Sequence, residues 1–346
     1  MRRRHFLKAI SAAAVTTKFS SVFGAEADMQ SGTGILTPVI DCHIHPMSQK
    51  LHDLISPFAS KQGSELVRFD GPAIIEHLDN IGAQRAYALS TAYLWGGRRP
   101  QETASPFVVK PGEYDNVQAE NNFVAEQAVE FPGRIIPFMG INPIKPYALD
   151  ELERCSGELK MRGLKLHFWN SGVNLREESH LKRIHPVFEY VASQDIPVML
   201  HFYNGRVADF GPSDGQLLVD NVLADCPSLR ICFAHFIGAG NYADVVGDTV
   251  DAFIQASAGH QSLNRDRWFL DLSAIFDRQA RGHFAGVTDL QLKRLGHQIK
   301  TWGLNNVLWG SDNRKDYLAT TLAMWPLSDD ELSVVMNNDG KIFIDG

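Results

Sequence analysis

The chain has 346 residues, 44% of them hydrophobic and 21% charged, with a formal net charge of -7. An acidic balance argues against nucleic acid as a partner, which would call for a basic patch. Beyond the N-terminal segment no run approaches the roughly 18 apolar residues of a membrane span, so the mature protein is expected to be soluble.

The first 27 residues have the layout of an export signal: a basic start, Arg2-Arg3-Arg4-His5-Phe6-Leu7-Lys8, a mildly apolar middle from Ala9 to Val15, and an Ala25-Glu26-Ala27 cleavage pattern. Within it, Arg3-Arg4-His5-Phe6-Leu7-Lys8 resembles the twin-arginine motif, which implies passage of an already folded protein through the twin-arginine export machinery to the periplasm or beyond. Cleavage is expected after Ala27, with Gly24 as the alternative, leaving one domain over 28–346 with a net charge of about -11.

The first apolar run, Pro38-Val39-Ile40-Asp41-Cys42-His43-Ile44-His45-Pro46, reads as a strand. Strict alternation along it puts Asp41, His43 and His45 on one face and Cys42 and Ile44 on the other. Two imidazoles on one strand face can grip one metal ion. Further short apolar runs follow at 83–90, 135–142, 163–167, 197–201, 229–235, 268–273 and 307–312. Helical patterns lie between them at 72–81, 116–131, 148–160, 182–194, 216–224, 242–258 and 289–302. Eight strands separated by helices imply parallel pairing with right-handed crossovers, and a single-domain α/β fold, the (β/α)8 TIM barrel. No G-x-G-x-x-G or P-loop is present to favour an open nucleotide-binding sheet.

Two connections, Met47 to Asp70 and Thr91 to Glu113, are long and belong to the carboxyl face of the barrel, where binding loops gather. They carry Phe58, Tyr93, Trp95, Arg98 and Arg99, and the loop after strand five adds Phe202, Tyr203 and Arg206. Trp95, Arg98 and Arg206 are candidate substrate contacts, since an aromatic ring and a bidentate guanidinium suit an aromatic or unsaturated acid. Cys42, Cys155, Cys226 and Cys232 read as packing residues, because a core of this size needs no disulfide. His77, His185, His283 and His297 read as surface residues.

In a barrel the chemistry comes from the carboxyl ends of the strands. The fifth run closes on His201, the sixth on His235 and the eighth on Asp312 in Gly310-Ser311-Asp312. With His43 and His45, that makes five ligand-type groups at four strand ends. Asp271, in Phe269-Leu270-Asp271-Leu272-Ser273, points into the lumen if its leucine neighbours pack outward, and can orient a ligand histidine.

Taken in order, His43-Ile44-His45, Gly163-Leu164-Lys165-Leu166-His167, His201, His235 and Gly310-Ser311-Asp312 resemble the amidohydrolase superfamily. The resemblance is to its amidohydrolase-related branch, which also holds non-oxidative decarboxylases and metal-independent lactonases. It implies that His43, His45, His201 and Asp312 are metal ligands and that His235 polarises the substrate or binds a second metal. It also raises Lys165, carbamylated between two metals in binuclear members and elsewhere a plain ammonium able to hold a substrate carboxylate, with His167 beside it on the same face. Family members are often dimers or larger.

Imidazoles with one carboxylate suit Zn²⁺ first, with Mn²⁺ or Fe²⁺ as alternatives. A bound divalent metal makes hydroxide available at neutral pH, Asp312 can take the proton and pass it on, and His235 can donate to a developing oxyanion. The expected reaction is hydrolysis of an amide, ester or lactone of a small substrate. Non-oxidative decarboxylation on the same site is the first alternative, and a metal-independent lactonase or a non-catalytic ligand-binding barrel the second.

Overall fold

The computed structural model describes residues 36–61, 66–97, 105–239, 242–260, 262–275, 287–315 and 317–345. The expected export signal therefore lies outside the described residues. The strands are β1 (Ile40–Ile44), β2 (Arg85–Leu89), β3 (Ile135–Gly140), β4 (Gly163–His167), β5 (Val198–His201), β6 (Ile231–Phe233), β7 (Trp268–Asp271) and β8 (Val307–Leu308). They form one sheet in the order β1 to β8 with each consecutive pair parallel. Backbone bonds from Cys42 N to Trp309 O (3.0 Å) and from Asp312 N to His43 O (2.9 Å) bring the end of β8 back to β1, giving the expected (β/α)8 barrel.

Helices α1 (Gln49–Lys61), α2 (Gly71–Ile81), α3 (Glu113–Glu130), α4 (Ala148–Gly157), α5 (Phe168–Ser171) and α6 (Glu178–Ser193) accompany the first half of the barrel. The second half carries α7 (Pro212–Leu218), α8 (Asp244–Gly259), α9 (Asp289–Trp302), α10 (Tyr317–Met324), α11 (Asp329–Met336) and α12 (Lys341–Ile344). Their starts have local causes. Asp70 caps α2 by accepting from Ala73 N, with Pro72 in the first turn, and Thr288 and Ser328 open α9 and α11 with reciprocal capping boxes. The helix expected at 216–224 divides into α7 and a π-type turn over Val219–Leu223.

Outward strand residues such as Ala86, Ala88, Leu164, Leu166, Val198, Leu200 and Leu270 join the helices in the main core. Inward residues form a separate cluster of Ile40, Cys42, Tyr87, Phe138, Met199, Cys232, Phe269 and Leu308. Phe343 of α12 is fully buried in that inner cluster, its ring 5.2 Å from Phe269 and 5.9 Å from Tyr87, and Tyr87 donates to Gly340 O at 3.0 Å. The C-terminal helix thus plugs the end of the lumen opposite the strand carboxyl ends, leaving the other mouth for polar groups. All four cysteines are buried and free, as expected. No described helix is long and apolar enough to cross a membrane.

Candidate active site

The histidine-bearing strand departs from simple alternation. Asp41 pairs with Ala86 and Ile44 with Ala88, so Cys42 and His43 together face the single residue Tyr87. Such a bulge turns successive side chains the same way. Cys42 joins the inner cluster, His43 also enters the lumen, and Ile44 packs in the outer core. Asp41 is therefore not on the face of His43 and His45. It lies behind the strand, accepting from His43 N (3.1 Å) and Ser311 N (2.9 Å) with Oδ1, while Oδ2 meets His77 Nε2 at 3.0 Å. His77, expected on the surface, is only 4% exposed because it partners this buried carboxylate.

Asp41 ties the bulge of β1 to the end of β8 and so sets the distance between the two histidines and Asp312. Asp41→Asn keeps the accepting oxygen and loses the charge behind it. We expect a cost of about 1 kcal/mol in denaturant unfolding, with metal affinity lowered only a few-fold. A variant as stable and as metal-avid as the wild type would remove Asp41 from this role.

His43 is fully buried, and its Nδ1 meets Asp271 Oδ2 in a short contact. Asp271 holds a closed network: Oδ1 accepts from Ser273 N (2.6 Å), Oδ2 accepts from Ser273 Oγ (2.8 Å), and that hydroxyl lies 2.9 Å from His235 Nδ1. His235 Nδ1 also lies 3.1 Å from Ser273 O, so it donates its proton there. Asp271 therefore orients His43 directly and His235 through Ser273. Asp271 faces the lumen while Leu270 and Leu272 pack in the outer core.

His45 Nδ1 donates to Leu89 O at 3.1 Å, and its backbone is clasped by Asn313, which accepts from His45 N (2.8 Å) and donates to His45 O (2.9 Å). With both Nδ1 atoms donating, the Nε2 lone pairs of His43 and His45 face each other at 3.0 Å. Two lone pairs at that separation call for a cation between them. Lys165 Nζ is 3.2 Å from His43 Nε2, and Asp312 Oδ1 lies 3.6 Å from His45 Nε2 and 3.9 Å from His43 Nε2. The other Asp312 oxygen is 3.2 Å from the Arg314 guanidinium.

His167 and His201, paired in register on β4 and β5, stack with centroids 3.8 Å apart at 14°. His201 and His235 meet edge-on at 5.1 Å, and His201 Nε2 is buried without a hydrogen-bond partner. An orphaned buried imidazole nitrogen beside this cluster fits a metal ligand. His43, His45 and Asp312 hold ligand atoms within 4.8 Å of one another, and so do His43, His235 and Asp271. In the second group both Asp271 oxygens are already engaged, which leaves the first as the better donor set.

Left-handed backbone aims several of these groups. His235, Phe236 and Ile237 have φ of 54°, 54° and 71°, Ala274 56°, and Asp312 and Asn313 53° and 61°. Non-glycine residues there cost of order 1 kcal/mol or more each, strain that clusters at functional sites.

Burial pushes His43, His167 and His201 well below the usual imidazole value, His235 below it, and His45 down to about 4. The four strand-end imidazoles and His167 are thus neutral ligands or hydrogen-bonding groups near pH 7, and Asp312 is the carboxylate of the set. Burial alone would raise Asp312, but Arg314, His235, His43 and His45 hold it well below the ordinary carboxylate range. Burial brings Lys165 down to about 8 against the pull of Asp271 and Asp312.

Other expected contacts divide. Tyr93 is buried at the lumen mouth with its ring 5.2 Å from His167, and burial followed by the charge of Asp312 raises its hydroxyl pKa. Trp95 packs instead on Ala92, Val117 and Tyr147, and Phe202 packs in the outer core against Phe210 and Phe253. Arg206 is exposed in the turn after β5. Arg98, Arg99 and His283 lie outside the described residues, as does the side chain of Phe58. His297 is exposed, and His185 is partly exposed beside Asp225. Ser273, Asn313 and the Asp41–His77 pair were not singled out from sequence as a supporting set. The polar residues next to ligand-type groups, as in Asp271-Leu272-Ser273 and Asp312-Asn313, were the available signal.

The sequence profile of the amidohydrolase family matches residues 40–339. The chain belongs to this family. No protein of curated function matches its sequence. Among solved structures, this amidohydrolase is similar to 2,6-dihydroxybenzoate decarboxylase complexed with 2,6-dihydroxybenzoate, at a TM-score of 0.60 and 13% identity over 90% of this chain and 99% of that one. A 5-carboxyvanillate decarboxylase from Novosphingobium aromaticivorans with bound manganese and a nitrobenzoic acid gives 0.60 and 13% over 92% and 100%. An amidohydrolase from Burkholderia multivorans with bound zinc gives 0.57 and 12% over 89% and 99%. At such identities the likeness is one of fold.

Proposed function

We propose that this amidohydrolase is a metal-dependent hydrolase acting on an amide, ester or lactone of a small, carboxylate-bearing substrate. The observation that carries the reading is the convergence of the His43 and His45 Nε2 lone pairs at 3.0 Å, with Asp312 Oδ1 3.6 Å away. His43, His45, His201 and Asp312 would hold the ion, Zn²⁺ first by ligand chemistry, with Mn²⁺ and Fe²⁺ as alternatives. When bound, a divalent metal supplies Lewis acidity and brings the pKa of a coordinated water to about 7.

The protein groups divide the remaining work. Arg314 fixes one Asp312 oxygen, leaving Oδ1 on the histidine side to take a proton from the attacking water and return it to the leaving group. His235 donates through Nδ1 to Ser273, so its Nε2 carries a lone pair and accepts a proton or a ligand before it can donate. Lys165, buried beside His43, supplies positive charge to an anionic substrate oxygen. A plain ammonium already does this, and a carbamylated Lys165 with a second metal is the alternative that metal counting separates.

Non-oxidative decarboxylation is the second reading, supported by the fold shared with the two decarboxylases and by Lys165 as a carboxylate partner. The test begins with metal content on protein purified without chelators, expected at about one equivalent, since a filled site outcompetes dilute metal in buffer. Screening then pairs lactones, aryl esters and N-acyl compounds with hydroxybenzoic acids in ¹⁸O water. Label in the organic product supports hydrolysis, and carbon dioxide release with an unlabelled product supports decarboxylation. No bound metal, and none taken up, would remove both readings in favour of a metal-independent lactonase or a binding barrel. We also propose twin-arginine export to the periplasm, for which the intact mass of the exported protein should lack residues 1–27.

A further inference from the structure

The five lumen histidines do not share one hydrogen-bonding pattern. His43, His45 and His235 each donate through Nδ1 to an oxygen, of Asp271, Leu89 and Ser273, which leaves Nε2 as a lone pair. His201 keeps an unpartnered Nε2. His167 is different: its Nδ1 accepts from Asn170 N at 3.3 Å as the cap of α5. A backbone N–H can only donate, so Nδ1 of His167 carries the lone pair and Nε2 carries the proton. Ligation through Nε2 would need the proton on Nδ1, where it would meet the Asn170 N–H head-on.

We infer that His167 is a hydrogen-bond donor to an anionic oxygen of the substrate, a carboxylate, and not a metal ligand. The inference deepens the metal-dependent reading above and rests on it for what lies across the lumen. His167 sits at the end of β4, stacked on His201 and retaining partial exposure at the mouth. The Nε2–H leaves the ring on the side away from α5. Tyr93 lies against the same ring, and Lys165 is two residues back on the same strand face. Two donors, the His167 Nε2–H and the Lys165 ammonium, thus stand on β4 beside the lone pairs of His43, His45 and His235 and the carboxylate of Asp312, with Lys165 Nζ 3.2 Å from His43 Nε2. A substrate that presents one oxygen to the metal and a carboxylate to these two donors matches this arrangement.

The test reads tautomers directly. In ¹⁵N-histidine protein, the ring signals absent from His167→Gln should show an unprotonated Nδ1 and a protonated Nε2, a tautomer that zinc up to about two equivalents leaves in place while the ligand rings lose their free-nitrogen signals. His167→Gln should keep the wild-type zinc stoichiometry and bind benzoate, the probe, about tenfold more weakly by calorimetry. His167→Asn repeats the comparison if the glutamine variant does not fold. An unprotonated Nε2, a zinc-induced change of tautomer at this ring, zinc loss in the variants, or benzoate binding that is unchanged or missing from the wild type at about 10 mM overturns the inference. A wild type that binds no zinc overturns the metal reading instead, and the tautomer and benzoate results still decide the role of His167.

Discussion

His43→Ala is expected to abolish specific metal binding, lowering affinity by more than about 100-fold, beyond the 10- to 100-fold typical of losing a supporting partner. His43 joins several parts of the site: Asp271 through Nδ1, His45, Lys165 and Asp312 around Nε2, and the His235 ring at 4.6 Å. Its removal also leaves the buried carboxylate of Asp271 without its imidazole partner. Breaking such a pair typically costs about 3–5 kcal/mol. The two effects separate by ligand-linked stability. Metal at about 1,000 times its dissociation constant stabilises a folded protein by about 4 kcal/mol, so chelator-stripped wild type should lose melting temperature and regain it with zinc or manganese. His43→Ala should melt lower than stripped wild type and not respond to either metal. A zinc response equal to that of the wild type would place the ion somewhere other than between His43 and His45.

The barrel was legible because parallel strands buried on both faces leave continuous apolar runs, and Gly163–His167 was read to the residue. The strand-end rule then selected His201, His235 and Asp312, each of which the structure brings into the lumen cluster. What escaped was local backbone geometry. A period of two cannot show the bulge at Cys42 and His43, so Asp41 was placed beside the ligands when it braces them from behind, and His77 lost its partner and its reason for burial. Helix α1 was hidden within a stretch read as a loop, where Pro57 interrupts the pattern, although Leu51 is fully buried. The left-handed turns at His235, Ala274 and Asp312 fall on residues that give no warning of positive φ. Charged loop residues carried the least information. Position in sequence says that they are near the mouth, but not whether a side chain turns inward, and Trp95 turned toward α3.

Gly310→Ala should have the second large effect, through sterics alone. A methyl group at Gly310 would lie 2.8 Å from His43 Cβ, 3.1 Å from His43 N and 3.2 Å from Asp271 Oδ1. None of these atoms is the loose end of a flexible side chain. Residues on either side of Gly310 are fixed to β1, Trp309 O by Cys42 N and Asp312 N by His43 O, so the chain cannot withdraw without opening the barrel seam. The methyl group must therefore push His43 away from Asp271 or break that seam. We expect a loss of about 3 kcal/mol in denaturant unfolding, the upper end for overpacking, and a fall of about 10- to 100-fold in metal affinity from a misoriented His43. Gly157→Ala is the matched control: nothing lies within 4 Å of its added methyl group. At the end of α4, alanine should stabilise by up to about 1 kcal/mol and leave metal binding unchanged. If Gly310→Ala instead retained wild-type stability and metal content, β1 would be free to yield at its bulge. The close approach of β8 would then not be what holds His43 in register with Asp312. The glycine of Gly310-Ser311-Asp312 is thus expected to serve the site by being absent as a side chain, allowing the carboxylate strand to lie against the histidine strand.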